Sequence, residues 1–485
     1  MNDLSRANEK DGPRDVVVMK FGGTSVGDAP AFRRLLSIVK SRMHARPVVV
    51  VSALAKVTDQ LLSAAQVAAE GKLEYANAVC MEIRLRHQEI AAELLNADAY
   101  AVVDHEFSAE FHELNAKICE TAVAGHLTPR AQDAILGFGE RLSSKLVHAV
   151  LRLHGVDAVH LDAASAIITD SRHTQATPQW DLSYLNLANV LEPLLRKDRI
   201  PVLGGFIASD RDGVPTTLGR GGSDLTASIV GAALHATRIE IWTDVDGIMT
   251  TDPNVCPEAR RIPRMSFEDA ATLAHFGAKV LHPATLKPAM EANIPVHVLN
   301  SRNPDGEGTE IMANVSGLGS VRALTAKRGI AAVEVDLREG RSAELITALC
   351  AVFERHHCAI DVMAASHDRL SLLVGSTSAL PAVAAEAGAL ASLKWENHKA
   401  LVCLVGENLH RQPDVVSRVF AAVSDMDVRV LCQGGSDRAL SFLVEETKAE
   451  ESMRRLHALF FSDRKQPVPT KFNSAALCQA GESWL

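Results

Sequence analysis

Residues 20–25 (KFGGTS) carry the clearest chemical signal in the chain, because a lysine stands just before a glycine pair and two hydroxyl side chains. Glycine lets a ligand approach the backbone closely, and free N–H groups can bind phosphate oxygens. The spacing differs from the Gly-x4-Gly-Lys-Ser/Thr pattern of a Walker A loop. The segment therefore predicts a phosphate-binding loop of another kind, and a tight turn with Lys20 reaching into solvent is the alternative.

A second glycine-rich segment, residues 219–224 (GRGGSD), stands before a helix-forming stretch. Arg220 supplies a planar, permanently charged group that suits a carboxylate. Ser223 or Asp224 is expected to cap the following helix. A mobile surface loop is the alternative, but two such segments in one chain favour a binding site for an anionic substrate.

Three further positions are candidates for ligand binding. Residues 242–247 (WTDVDG) resemble a calcium loop only at first sight, since the glycine comes too early and no glutamate closes the loop. They predict a nucleotide site at a strand end instead. In residues 276–283 (FGAKVLHP), Lys279 either meets a phosphate or is a solvated helix lysine. Glu140, taken alone, is an ordinary carboxylate at a helix start.

The composition is that of an ordinary soluble protein: 47% of the 485 residues are apolar, 22% are charged, and the net charge is −9. A general nucleic-acid binder would carry a basic surface instead. The eight cysteines form no CxxC pair and have no histidines at zinc spacing. No apolar run approaches the roughly 18 residues of a membrane span, and the polar tail at 1–14 lacks a secretory signal. We therefore expect a cytoplasmic protein with reduced cysteines and no nucleic-acid or membrane partner.

Short apolar runs rich in β-branched residues alternate with helix-forming stretches, which predicts a parallel sheet. The runs occupy residues 16–19, 48–51, 158–161, 201–207, 239–243 and 295–299. We expect residues 15–312 to form one large α/β domain, an open and mainly parallel sheet flanked by helices. Ligands bind at the carboxyl ends of such strands, so the glycine-rich segments should lie there.

The remaining sequence contains a weak internal repeat, in which Phe353 and Phe420 occupy equivalent positions about 67 residues apart. Each copy has the order strand, helix, strand, turn, strand. The repeat predicts two small α/β modules at 320–395 and 396–462, which can interlock. Residues 463–485 lack such a pattern and are predicted to be a tail, or the start of a linker.

Together the segments resemble the aspartate kinases of the amino-acid kinase family over about residues 16–460. The matching motifs are KFGGTSV at 20–26, VSA at 51–53, GFGERLS at 137–143, TTLGRGGSD at 216–224, IWTDVDGI at 241–248 and FGAKVLHPATL at 276–286. The C-terminal repeat resembles a pair of ACT modules, small βαββαβ units that bind amino-acid effectors in this family. The motifs are most similar to those of the single-function, lysine-sensitive type.

The resemblance implies transfer of the ATP γ-phosphate to the side-chain carboxylate of L-aspartate, the first step of the lysine, threonine and methionine (diaminopimelate) pathway. It implies ATP with Mg²⁺, and feedback by an amino acid such as lysine. Because ACT modules usually pair across subunits, it also implies a homodimer or a larger assembly. The aspartate carboxylate is ionised at pH 7, since its free pKa is about 3.9, so the reaction requires no general base.

The resemblance also assigns roles to residues. It implies catalytic roles for Lys20, Asp224 and Lys279. It implies nucleotide binding by Lys20, Phe21, Gly22, Gly23, Thr243, Asp244, Met249, Asn254, Lys279 and Val280. It implies aspartate binding by Thr58, Glu140, Arg220, Gly221, Gly222 and Ser223. It implies effector binding by Ser342, Leu345, Ile346, Ile360, Asp361 and Ser366. Related enzymes commonly have Tyr and Arg in place of Met249 and Asn254.

Two alternatives remain open at this point. One is another amino-acid kinase, such as an acetylglutamate or carbamate kinase, but the GRGGSD segment and the ACT pair favour aspartate. The other is a non-catalytic amino-acid sensor with an inactive kinase domain, and the charged residues of the motifs argue against it. In the preferred interpretation Arg220 holds the α-carboxylate of aspartate and Glu140 its α-ammonium, while Asp224 orients the lysines and Mg²⁺.

Overall fold

The structure is a computed structural model that describes residues 15–278, 281, 283–315, 320–337, 342–375, 377–432 and 437–462. The predictions for Lys279 and Val280, and for the two tails, lie outside these residues. Ser342 begins a helix, but its side chain also lies outside the described part.

The strands of the described residues are β1 Val17–Phe21, β2 Pro47–Val51, β3 Ala158–Leu161, β4 Ile200–Gly204, β5 Ile207–Ser209, β6 Pro215–Thr217, β7 Arg238–Thr243, β8 Arg264–Ser266, β9 Val296–Asn300, β10 Thr309–Met312, β11 Val321–Asp336, β12 Ile360–Ala365, β13 Arg369–Val374, β14 Leu393–Gly406, β15 Leu431–Cys432 and β16 Ala439–Glu445. The largest sheet has eight of these strands, in the order β3-β4-β2-β1-β7-β9-β10-β8. In this eight-stranded sheet every pair of neighbouring strands is parallel except the pair of β9 and β10, which is antiparallel. The predicted open, mainly parallel sheet is therefore confirmed.

Helices cover both faces of this sheet. They are α1 Ala29–Ser41, α2 Val57–Ala69, α3 Leu73–Leu94, α4 Ala97–Ala124, α5 Pro129–Leu136, α6 Phe138–Leu153, α7 Trp180–Leu195, α8 Gly222–Ala233, α9 Phe267–His275 and α10 Lys287–Glu291, with α11 Ser342–Arg355, α12 Leu380–Ala387, α13 Pro413–Ala422 and α14 Ala449–Phe461 in the C-terminal part. None of these helices is both long and apolar enough to cross a bilayer.

The apolar run of β1 is buried because successive side chains of a strand face opposite sides of a sheet. Val17 and Met19 pack with α1 to α6, whereas Val18 packs on the other face with α7 to α10. Lys20 comes two residues after Val18 and therefore faces the same side of the sheet, the side that α8 covers. The strand thus places one charged side chain between the sheet and the start of α8.

The prediction of a single strand over residues 201–207 is wrong in its second half. β4 ends at Gly204, and β5 pairs with β6 in a separate hairpin. Phe206, between β4 and β5, has φ of 65°, a conformation that few residues other than glycine adopt. A Cβ atom on Gly205 would lie 2.6 Å from the Cβ of Ser223. The chain leaves the sheet here because it must turn against the start of α8.

The C-terminal part forms one antiparallel sheet in the order β12-β13-β11-β14-β16-β15, which has six strands in the part of the chain that is described. The long strand β11 pairs with both β13 and β14, and β14 itself crosses the predicted module border at 395. The two halves of the repeat therefore share a single sheet. Helices α11 and α12 pack in one apolar cluster, and α13 and α14 in another.

Candidate active site

Lys20 and Asp224 join the two glycine-rich segments. The Lys20 ammonium, near the end of β1, lies 2.7 Å from a carboxylate oxygen of Asp224, and the side chains are only 11% and 15% exposed. The predicted cap is wrong: α8 begins after Gly221 without a side-chain cap, and Asp224 lies in its first turn. A carboxylate is favourable there because of the helix dipole. The pair fixes the lysine ammonium at the carboxyl edge of the sheet.

The glycine pair after Lys20 is held closely by its neighbours. The N–H of Gly22 donates to the carbonyl of Trp242 at 3.0 Å. A Cβ atom on Gly23 would lie 2.9 Å from the carbonyl oxygen of Ala53, so a larger residue cannot fit without movement. A Cβ on Gly22 would have no closer neighbours than 3.6 Å, and the Lys20 ammonium would be 3.7 Å away. A methyl group on Gly22 would therefore lie at ordinary van der Waals distance beside the Lys20 ammonium.

Glu140 is a buried carboxyl group in the first turn of α6, with 3% of the residue exposed. Burial raises the pKa of Glu140 to about 8, although the N–H of Ala53 and the charge of Lys20 act in the opposite direction. Its Oε2 atom has no hydrogen-bond partner among the described residues. A buried, unpartnered carboxyl oxygen is costly unless a ligand pairs with it. Glu140 is therefore suited to a cationic group of a substrate.

Gly139 is part of the motif at 137–143, but sequence reasoning did not identify Gly139 and Gly204 as the glycines that bring Glu140 into the site. A Cβ atom on Gly139 would lie 2.7 Å from the Cβ of Ala53, and one on Gly204 would lie 3.0 Å from the carbonyl oxygen of Glu140. Both glycines let α6 approach the carboxyl ends of the strands. Gly204 ends a buried strand and Gly205 follows it, much as Gly22 and Gly23 follow β1, and that pattern could have identified the pair.

The second glycine-rich segment presents Arg220 between two left-handed residues. Gly219 and Gly221 have φ of 71° and 74°, and Arg220 is exposed. A Cβ atom on Gly222 would lie 2.7 Å from the ring of Phe206, so the start of α8 packs directly on that turn. The exposed Arg220 thus follows directly on a closely packed turn.

The remaining substrate candidates belong to the same edge of the sheet. Ser223 is buried in the first turn of α8, against Gly205, and Thr58 is half-buried in the first turn of α2. Helix starts present free N–H groups, which favour anions.

The predicted nucleotide residues fall into two groups. Thr243 ends β7, next to β1, and its hydroxyl donates to Asp244 at 3.3 Å. Both residues therefore lie beside the phosphate loop. Met249 pairs with Arg261 in an isolated bridge, and Asn254 makes its hydrogen bonds to the carboxylate of Asp252, at 2.9 and 3.0 Å. Among the described residues, neither Met249 nor Asn254 is hydrogen-bonded to the loop at 20–25.

Among the side chains that the structure describes, the effector candidates do not form one cluster. The side chains of Leu345, Ile346 and Ile360 are partly buried against the apolar cluster of α11 and α12. Asp361 pairs with a lysine that sequence reasoning did not identify, Lys327, at 2.6 Å. Ser366 hydrogen-bonds Asp368 at 2.7 Å. Because a strand rises about 3.3 Å per residue, Ser366 lies roughly 16 Å along the chain from Asp361.

Comparisons with known proteins agree with this geometry. A sequence model of the amino acid kinase family matches residues 15–300, and one of the ACT domain matches residues 402–460. Lysine-sensitive aspartokinase 3 of Escherichia coli is 34% identical over 458 residues, which are 92% of this chain and 99% of that protein. Chloroplastic aspartokinase 3 of Arabidopsis thaliana is 32% identical over 92% of this chain and 81% of its own length.

Solved structures give the same result. The E. coli aspartokinase III complex with aspartate and ADP, in the R-state, is similar with a TM-score of 0.83 and 33% identity over 92% of this chain and 100% of that chain. The complex of that enzyme with lysine and aspartate, in the T-state, gives a TM-score of 0.76 with 34% identity over the same shares. The motifs, the fold and these relatives therefore all indicate the same family. The chain belongs to the aspartokinases, within the amino acid kinase family.

Proposed function

We propose that the protein transfers the γ-phosphate of ATP to the side-chain carboxylate of L-aspartate, giving 4-phospho-L-aspartate and ADP. The observation that carries this proposal is the fixed ammonium of Lys20, paired to Asp224 at 2.7 Å, in the same site as the buried, unpartnered carboxyl of Glu140. A phosphate would meet the first group, and the ammonium of an amino acid would meet the second. The site therefore accommodates both reactants.

Charge repulsion is the main barrier that these residues must lower. An oxygen of the aspartate side chain forms a bond to the γ-phosphorus, while the bond from phosphorus to the β,γ-bridging oxygen breaks. The attacking carboxylate is already ionised at pH 7. Phosphoryl transfer depends on positioning and charge stabilisation rather than on proton removal. Lys20 and the N–H groups of its loop supply positive charge where two anions must approach.

Aspartate would be selected by its two α-groups. Arg220 would pair with the α-carboxylate, because a guanidinium binds a carboxylate through two parallel hydrogen bonds. Glu140 would pair with the α-ammonium. N-acetylglutamate lacks that ammonium and would leave Glu140 buried without a partner, which opposes binding. Thr58 and Ser223 would complete the substrate contacts, and Lys279 would act on the nucleotide phosphates.

Mg²⁺ is expected to enter with the nucleotide. Among the described residues, no three His, Cys, Asp or Glu side chains are grouped to hold a metal ion. Mg²⁺ usually keeps several waters and binds one or two carboxylates together with substrate phosphates. Asp224, a single carboxylate beside the loop, fits that requirement. Mg²⁺ would neutralise phosphate charge, and Asp224 would hold it next to Lys20.

We further propose that the C-terminal sheet, formed by modules at about 320–395 and 396–462, binds an amino-acid effector and joins subunits into a homodimer or larger assembly. The match to an ACT domain supports this assignment, as does the similarity to an E. coli enzyme crystallised with lysine. Lysine is the first effector to test. Asp361 would bind one of its ammonium groups.

An assay of ADP release with three acceptors tests the function. We expect turnover with L-aspartate and none with N-acetyl-L-glutamate or carbamate. ADP release with another acceptor but not with aspartate would identify a different amino-acid kinase. Absence of ADP release with every acceptor, from a folded protein that still binds lysine, would identify a sensor. Sedimentation of the full chain, with and without lysine, tests the assembly.

A further inference from the structure

Lys327 and Asp361 form an ion pair in the C-terminal sheet, with 2.6 Å between the ammonium and Oδ1. Lys327 lies on β11 and Asp361 on β12, with β13 between these strands. The Asp361 side chain is 8% exposed and that of Lys327 is 30% exposed. Oδ2 of Asp361 has no hydrogen-bond partner in the part of the chain that is described. The lysine therefore satisfies only half of a buried carboxylate.

Gly375, the residue after β13, lies next to the Lys327–Asp361 pair. A Cβ atom at Gly375 would lie 3.3 Å from Oδ2 of Asp361 and 3.4 Å from the ammonium of Lys327. Both charged groups thus lie close to the backbone that follows β13. The Asp361 carboxylate is therefore bordered by the Lys327 ammonium on one side and by Gly375 on another.

We propose that the Lys327 side chain occupies the position at Asp361 that the ammonium of an amino-acid effector takes, so that the effector binds by displacing it. This inference rests on the regulatory function proposed above. Its chemical basis is that Lys327 and a free amino acid present the same group, an alkyl ammonium. Oδ1 of Asp361 is already taken by Lys327, and the backbone of Gly375 lies close to Oδ2, so an effector ammonium can pair with this carboxylate only in place of the lysine.

The partial exposure of Lys327 allows the exchange. Once displaced, its ammonium can enter water without a large desolvation cost, whereas Asp361 would be left buried without a partner if nothing replaced the lysine. The internal pair lowers the fraction of molecules that can accept the effector. The apparent dissociation constant of the effector rises by the same factor by which this fraction falls. For a partly exposed ion pair we expect that factor to be about threefold to tenfold.

The backbone at Lys327 also touches the catalytic part. A Cβ atom on Gly277, which has φ of 107°, would lie 3.1 Å from the carbonyl oxygen of Ala326 and 3.3 Å from the Cα of Lys327. The hydroxyl of Thr325 donates to the carbonyl of Phe276 at 3.3 Å. Lys279 follows Gly277 by two positions in the sequence. Exchange at Asp361 therefore acts on the strand that supports the segment leading to a proposed catalytic lysine.

Calorimetric titration of the full chain with L-lysine tests the proposal. Lys327→Met removes the ammonium and retains most of the chain length. We expect it to bind lysine about threefold to tenfold more tightly than the wild-type protein. Arg328→Met is the matched control: the neighbouring Arg328 pairs with Glu450, away from Asp361, at 2.8 Å. Its affinity for lysine should stay at the wild-type value. Asp361→Asn should abolish binding.

Equal or weaker binding by Lys327→Met would overturn the proposal, and weaker binding would show that Lys327 contacts the effector itself. Binding of lysine by Lys327→Met but not by the wild-type protein would support it. Absence of binding by both would also overturn it. Release of ADP with aspartate, measured on the same samples without lysine, is independent of these outcomes and shows separately whether the proposed kinase function fails. Lys327→Gln serves as a second variant if Lys327→Met does not fold.

Discussion

Asp269 and Arg322 form a buried ion pair between the two parts of the chain. Asp269 lies on α9 of the catalytic part, Arg322 lies on β11 of the C-terminal sheet, and their side chains are 0% and 2% exposed. Arg438 reaches the other oxygen of Asp269 at 3.0 Å, and Arg322 also contacts Glu407 at 2.7 Å. Since α9 runs directly into the segment at 276–283, this network joins the C-terminal sheet to the proposed nucleotide site.

Loss of Arg322 should therefore destabilise the protein strongly. Arg322→Met leaves Asp269 buried with one partner fewer, and breaking such a pair typically costs about 3–5 kcal/mol. We expect the Tm to fall by about 5 °C in scanning calorimetry. Arg454→Met removes an exposed pair with Glu450 and should change the Tm very little. A wild-type Tm for Arg322→Met would show that the network does not hold the two parts together.

Lys20→Met should remove most of the activity and leave the protein folded. The lysine supplies preorganised positive charge to the transferred phosphate, and loss of one such group usually lowers kcat by about 10²–10³. Steady-state ADP release and far-UV circular dichroism measure the two properties. Lys40→Met, which changes an exposed lysine on α1, is the control and should keep wild-type kcat. Near-normal turnover by folded Lys20→Met would remove Lys20 from the catalytic site.

The pH dependence of aspartate use should follow Glu140. Burial raises its pKa to about 8 in the free protein, so the carboxyl is mainly protonated at pH 7 and must lose its proton to pair with an ammonium. kcat/KM for aspartate should therefore increase about tenfold per pH unit below pH 8 and level off above it.

Glu140→Gln is expected to lower kcat/KM and to remove this slope between pH 6.5 and 8, since a neutral amide has no proton to lose in that range. Glu93→Gln, on the exposed side of α3, should keep the wild-type profile. A slope that persists in Glu140→Gln would assign the titration to another group.

The two glycines of the phosphate loop should respond differently to alanine. In Gly23→Ala the new Cβ would lie 2.9 Å from the Ala53 carbonyl, so the loop or its neighbour must move and the Tm should fall. In Gly22→Ala the nearest atoms are 3.6 Å away and φ is −70°, so folding should be unaffected. The methyl group would instead enter the space beside Lys20 and raise the KM for ATP about tenfold. Equal effects of both changes on Tm would contradict this division.

Much of the catalytic fold follows from the sequence, because the relevant signals are local. The continuous apolar run at Val17 and Val18 predicts a strand covered on both faces, and the structure confirms it. The turn at Phe206 could not be predicted, since its positive φ is imposed by packing against α8. Glu140 looked like an ordinary helix-start carboxylate, and its burial depends on the close approaches of Gly139 to Ala53 and of Gly204 to Glu140.

Pairs that depend on strand order are also invisible in the sequence. Lys327 and Asp361 are 34 residues apart and on strands that are not neighbours, so their contact depends on how β11, β13 and β12 are arranged. Sequence reasoning identified Asp361 from a family resemblance but gave no sign of its internal partner. The same is true of Asp269 and Arg322, which are 53 residues apart.

Gly277→Ala should separate effector binding from inhibition. The new side chain would meet the carbonyl of Ala326 at 3.1 Å and the Cα of Lys327 at 3.3 Å, so the segment leading to Lys279 would be pushed from β11. We expect calorimetry to show lysine binding close to that of the wild-type protein, while the remaining kinase activity is less inhibited by lysine. Gly71→Ala is a matched control for backbone strain, since Gly71 also has a positive φ, of 79°, but no atom within 4 Å of the added Cβ. That variant should lose about 1 kcal/mol of stability and keep full inhibition. If Gly277→Ala is inhibited as strongly as Gly71→Ala, the contact between β11 and Gly277 does not carry the effector signal.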